Sequence, residues 1–144
     1  MNADGLSRAL NDLMTRQTRG LGQHLREAKP YLSAATMPVW AEVRRMIDAD
    51  LDQARRVSRL MERHRLAVQS GSFAQVVAAY HYMDVPHLLP LLIGEKQGQI
   101  EACRRALDCC DPGADNGLAD EIQTILAENE AQLEQMEGHR QRVR

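Results

Sequence analysis

Aromatic side chains are scarce in this chain: 144 residues carry one Trp, three Tyr and one Phe. The apolar share is still 44%, supplied mostly by Leu, Ala, Val, Met and Ile. Such a set suits helix packing better than a sheet sandwich. An excess of charge of one sign is also missing. There are 18 basic and 20 acidic residues, a net charge of −2. No dominant positive field points to nucleic acid or to a membrane surface, and stacking aromatics are too few to hold single strands. No long hydrophobic run is present. The longest, residues 87–93, is too short to span a bilayer and contains Pro90. Cysteine is limited to Cys103, Cys109 and Cys110. An odd, clustered set argues against a disulfide framework and for reduced thiols in the cytoplasm. The amino terminus shows no secretion-signal pattern, in line with that location.

What is present is helical periodicity. Apolar residues recur at three- and four-residue spacing in four segments, which predicts helices at about 5–32, 37–69, 85–110 and 117–142 within a single domain, residues 1–144. Asn2 or Asp4 suits the first cap, Thr36 the second with Pro38 in the first turn, Asp84 the third with Pro86, and Asp115 or Asn116 the fourth. Gly20 and Gly22 weaken the first helix, at about 1 kcal/mol each relative to Ala. The joints near Ser33–Met37 and Asp111–Gly117 are short, whereas Ser70–Pro86 is long. Helices of 25–30 residues run about 40 Å. Some 15 extended residues reach about 50 Å. The long joint can therefore cross the bundle from end to end. The expected fold is an all-α, antiparallel four-helix bundle with a crossover between helices 2 and 3.

Each apolar face is interrupted near its middle. Gln17 and His24 do this in the first helix, Asp50 in the second, Glu95 and Gln99 in the third, whose face passes through Glu95 or Lys96, and Asn129 in the fourth. Buried polar groups need partners, so a shared hydrogen-bonded layer of Gln17, Asp50, Gln99 and Asn129 is expected.

Helix lengths, the long second connection and the mid-helix polar residues together resemble the ferritin-like superfamily of ferritins, bacterioferritins and rubrerythrins. That resemblance covers essentially the whole chain and rests on architecture. It implies a Glu on helices one and three and a Glu-x-x-His on helices two and four, holding two metal ions. Here the corresponding stretches read Asp50-Leu-Asp-Gln53 and Asn129-Glu-Ala-Gln132, and no Glu-x-x-His occurs. Two carboxylates, Asp50 and Glu95, cannot balance two iron ions as four carboxylates do. The resemblance thus implies a non-catalytic bundle with a degenerate metal site, no cofactor, and a structural or protein-interaction role. The alternative is a ferritin-like metal-binding protein or oxidase with unconventional ligands drawn from Asp50, Glu95, His24 and His64.

Other clusters carry weaker signals. Tyr80, His81, Tyr82, Asp84 and His87 combine zinc-ligand types without a second cluster at metal spacing. Arg44, Arg45, Arg55, Arg56, Arg59, Arg63 and Arg65 are interleaved with acids, and Asp52–Arg56 has ion-pair spacing. A homodimer is the expected assembly, with Trp40 and this Arg-rich side as the contact surface; an unidentified protein partner is the other option. Gly94 and Gly98 suggest a tight crossing, or room for a small molecule between the hairpins.

Overall fold

A computed structural model describes residues 2–27, 29–69, 83–111 and 117–143, without the side chain of residue 27. Most of the expected crossover, including Tyr80, His81 and Tyr82, lies outside them, as do residues 112–116 of the last turn with Asp115 and Asn116. The described chain is helical: α1 Ala3–Arg19, α2 Leu21–Glu27, α3 Met37–Arg63, α4 Val85–Asp108 and α5 Leu118–Arg142.

The Asn2 side chain caps α1 by accepting from Gly5 N at 3.0 Å. Its own N–H donates to Cys109 O at 3.1 Å, which ties the start of α1 to the end of α4. The single helix expected over 5–32 is in fact two. Gly20 is extended, with φ −79° and ψ 176°. A Cβ there would meet Arg16 O at 2.5 Å and a Glu95 carboxylate oxygen at 2.8 Å. The freed N–H of Leu21 donates to Glu95 Oε1 at 2.7 Å, and that of Gly22 approaches Oε2 at 3.5 Å. A carboxylate from α4 thus takes up the donors that the break exposes.

Thr36 precedes α3 without a side-chain cap bond; its Oγ1 accepts from Ser33 N at 2.9 Å instead. The end of α3 comes at Arg63, short of the expected residue 69. Arg65 is left-handed, with φ 55°. Arg65 N bonds Glu62 O at 3.1 Å and Leu66 N bonds Met61 O at 2.8 Å. That pair of bonds is the Schellman stop, and buried Leu66 folds back onto Leu60 and Met61 as its apolar partner. The spacing of His64 and Val68 suits a helix face, but His64 is the cap and Val68 is exposed. Asp84 caps α4, accepting from His87 N at 3.1 Å. Gly117, at φ 74°, precedes α5 without a side-chain cap.

Packing closes a ring. α1 lies against α3 and α4, and α5 lies against α4 and, less closely, α3. Two apolar clusters fill the two ends. The first joins Leu6, Leu10 and Leu13 with Val57, Leu60, Ala106, Leu118 and Ile122. The second joins Leu21 and Leu25 with Trp40, Val43, Val85 and Leu88. Each fully buried Leu contributes about 1.5–3 kcal/mol. Trp40 is only 5% exposed, so it belongs to the core and not to a contact surface. Leu66 sits in the first cluster, while Met83 packs on the second. Among the described residues no helix is long and apolar enough to cross a membrane.

Candidate functional site: a polar layer around a buried lysine

Between the two clusters lie Gln17, Asp50, Gln53, Lys96, Gln99 and Asn129, all buried. α4 builds the centre. Its inward positions, Leu89, Leu92, Lys96, Gln99, Cys103 and Ala106, alternate spacings of three and four, so Lys96 falls on the interior stripe. Glu95 turns toward the α1–α2 break.

Lys96 Nζ donates to Asp50 Oδ1 at 2.7 Å, Gln99 Oε1 at 2.8 Å, Asn129 Oδ1 at 3.1 Å and Gln132 Oε1 at 2.7 Å. Four oxygens around one nitrogen suit an ammonium, with its three N–H bonds shared among four acceptors. Gln99 Nε2 donates to the other Asp50 oxygen at 3.2 Å. Gln53 Oε1 accepts from Gln17 Nε2 at 2.5 Å and from Asn129 Nδ2 at 2.9 Å. Gln53 Nε2 passes the chain of bonds to Glu128 at 2.9 Å, and Arg56 holds that carboxylate at 2.8 Å. Within the layer Gln17 Oε1 has no partner.

Burial sets the electrostatics. Desolvation pulls the Lys96 ammonium below the usual lysine range, and the Asp50 charge opposes that pull. Desolvation likewise raises Glu95, against the N–H groups of Leu21 and Gly22 that hold its charge. Cys103, on the same stripe, is pushed up to about 11 by burial.

Of the residues expected in the layer, Gln17, Asp50, Gln99 and Asn129 are brought together here. Gln53, Lys96 and Gln132 are not among the residues expected in the layer, although Lys96 is an alternative to Glu95 on the third helix face. The three–four alternation along α4 was the available signal for Lys96. The spacings Asp50-x-x-Gln53 and Asn129-x-x-Gln132 were the signal for the two glutamines.

The metal candidates are dispersed. Glu95 is occupied by the start of α2, His24 lies half-buried on α2, and His64 ends α3. Among the described residues no three His, Cys, Asp or Glu side chains converge on one point. The residues present do not fit a di-metal centre. One carboxylate and amides surround a side chain that is itself a cation, and a second positive ion there would face uncompensated repulsion.

The remaining candidates resolve locally. Asp84 pairs with the His87 ring, and that bond lowers the Asp84 carboxyl from its ordinary value. Asp52 pairs with Arg55 at 2.8 Å, while Arg56 reaches Glu128 on α5, so the expected Asp52–Arg56 pair is not made. Gly94 faces open space, and the Arg16 guanidinium lies over Gly98, so neither glycine brings two helices close. Both line a groove of about 690 Å³ between α4 and α5, with Glu101, Glu130 and Glu134. A larger groove of about 880 Å³ separates α3 from α5, and Gln132 reaches it from the layer. No protein family, curated protein or solved structure matches this chain.

Proposed function

We propose that this chain is a non-catalytic, ferritin-like helical bundle of the cytoplasm, with a structural or protein-interaction role and a polar layer in place of the superfamily's metal site. The carrying observation is the Lys96 Nζ bonded to Asp50, Gln99, Asn129 and Gln132. Positions that the superfamily fills with metal ligands are occupied by Asp50-x-x-Gln53 on α3 and Asn129-x-x-Gln132 on α5, and their side chains join that layer. The antiparallel arrangement draws support from the first cluster. Leu6 near the start of α1 meets Leu60 near the end of α3, Ala106 near the end of α4, and Leu118 at the start of α5. These contacts support neighbouring helices that run in opposite directions, and the membership of Leu66 and Met83 in opposite clusters supports a crossover along the bundle.

Elemental analysis after anaerobic reconstitution with ferrous iron tests the reading. The expected result is a folded helical protein with iron and manganese far below one equivalent. Near-stoichiometric metal that disappears in Asp50→Ala overturns it in favour of an oxidase with unconventional ligands. Self-association as a homodimer is part of the proposal. With Trp40 in the core, the arginines of α3 remain as its contact face, and Arg44, Arg45 and Arg59 form no ion pair among the described residues. Light scattering that returns a monomer removes this part alone.

A further inference from the structure

Of the 18 basic residues only Lys29 and Lys96 are lysines, so arginine is the default cation of this chain. The core holds one of the two exceptions. The reason lies in the shape of the acceptors. Asp50 from α3, Gln99 from α4, and Asn129 and Gln132 from α5 place four oxygens 2.7–3.1 Å from a single nitrogen. A guanidinium spreads its donors over a planar fork. An ammonium is a compact point charge with donors directed around it, and it fits a convergent cage.

The cage also has a defined charge and size. Its single carboxylate balances one positive charge. Its oxygens stand farther from the centre than calcium requires, about 2.3–2.6 Å, or magnesium, about 2.0–2.1 Å. We propose that Asp50, Gln99, Asn129 and Gln132 form a site for a univalent cation of ammonium size, and that Lys96 is its tethered occupant. The wild-type bundle carries its own structural cation and depends on no dissolved one. This inference holds whichever superfamily the chain belongs to. The α3–α5 groove that reaches Gln132 gives a dissolved ion a short path to the cage once the lysine is shortened.

Two measurements test it. In wild-type protein, 15N NMR of the lysine side chains at neutral pH is expected to show a slowly exchanging NH3+ group for Lys96 and none for exposed Lys29. In Lys96→Ala, Tm is expected to fall by about 10 °C, because an unpaired buried carboxylate remains. Ammonium or potassium chloride is expected to recover at least half of that loss. Tetramethylammonium chloride at equal ionic strength, too large for the cage, is expected to recover none. Lys96→Met keeps the stem that fills the space, and no salt is expected to rescue it. A neutral amine at Lys96 overturns the proposal. So does an equal response of Lys96→Ala to all three salts. If Lys96→Ala does not fold in any salt, the wild-type NMR signal decides alone.

Discussion

Lys96 and Asp50 are 46 residues apart in sequence and 2.7 Å apart in the middle of the bundle. Their side chains are 2% and 12% exposed, so the pair is nearly dry. Removing one member of a buried pair strands the other, at about 3–5 kcal/mol. Lys96→Met is expected to cost that much in urea unfolding. Asp50→Asn is expected to cost clearly less in the Lys96→Met background than in the wild type, with a coupling of at least ~1 kcal/mol. Additive costs would mean that the two charges act independently.

Lys96→Arg keeps the charge and changes its shape. The planar fork cannot converge on four oxygens, and its added volume must be fitted into a buried position. A loss of about 1–3 kcal/mol is expected despite the unchanged net charge. Wild-type stability in this variant would show that only the charge matters at this position.

Glu95 predicts a slope with pH. Its folded pKa lies above the ordinary value of 4.5. From pH 4.5 up to that folded value the native state retains a proton that the unfolded chain has released. Stability linked to this group is therefore present at low pH and is lost as pH rises through the window. Glu95→Gln retains an acceptor for Leu21 N without titrating. Urea melts at pH 4, 5, 6 and 7 are expected to show wild type losing stability relative to Glu95→Gln as pH rises. A constant difference between the two would show that Glu95 is not desolvated.

The thiols should separate in a disulfide-exchange assay at pH 8. Cys103 is fully buried and its pKa is pushed up to about 11. It is expected to react only on unfolding. Cys109 and Cys110 are half-buried at the end of α4 and are expected to react in the folded state, with Cys110 slowed because its own pKa is raised by burial. Three equally fast thiols would place Cys103 outside the core.

Arg65 occupies a left-handed backbone position at φ 55°. An L side chain there costs about 1–2 kcal/mol, part of which glycine returns through its greater freedom in the unfolded chain. Arg65→Gly is expected to stabilise the protein by up to about 1 kcal/mol in thermal and urea melts. Destabilisation would show that the arginine side chain contributes more than the backbone strain removes.

Features that depend on near neighbours are legible in the order of residues alone. Apolar spacing marked the four long helix faces, and Asn2 and Asp84 could be recognised as caps because a cap acts on a backbone three residues away. The polar interruptions at Gln17, Asp50, Gln99 and Asn129 were legible for the same reason: periodicity says which residues share a stripe. What stands opposite that stripe depends on the folded arrangement of the helices. Gly20 breaks the first helix because Glu95, 74 residues from Leu21, accepts the N–H that the break exposes. α3 stops at Arg63 because Leu66 finds a buried place beside Leu60 and Met61, and no local rule contains that place. Lys96 took the interior position from Glu95 because Asp50, Asn129 and Gln132 arrive from two other helices to hold an ammonium. A charge in a core is unfavourable until its partners are in place, and only the folded chain places them.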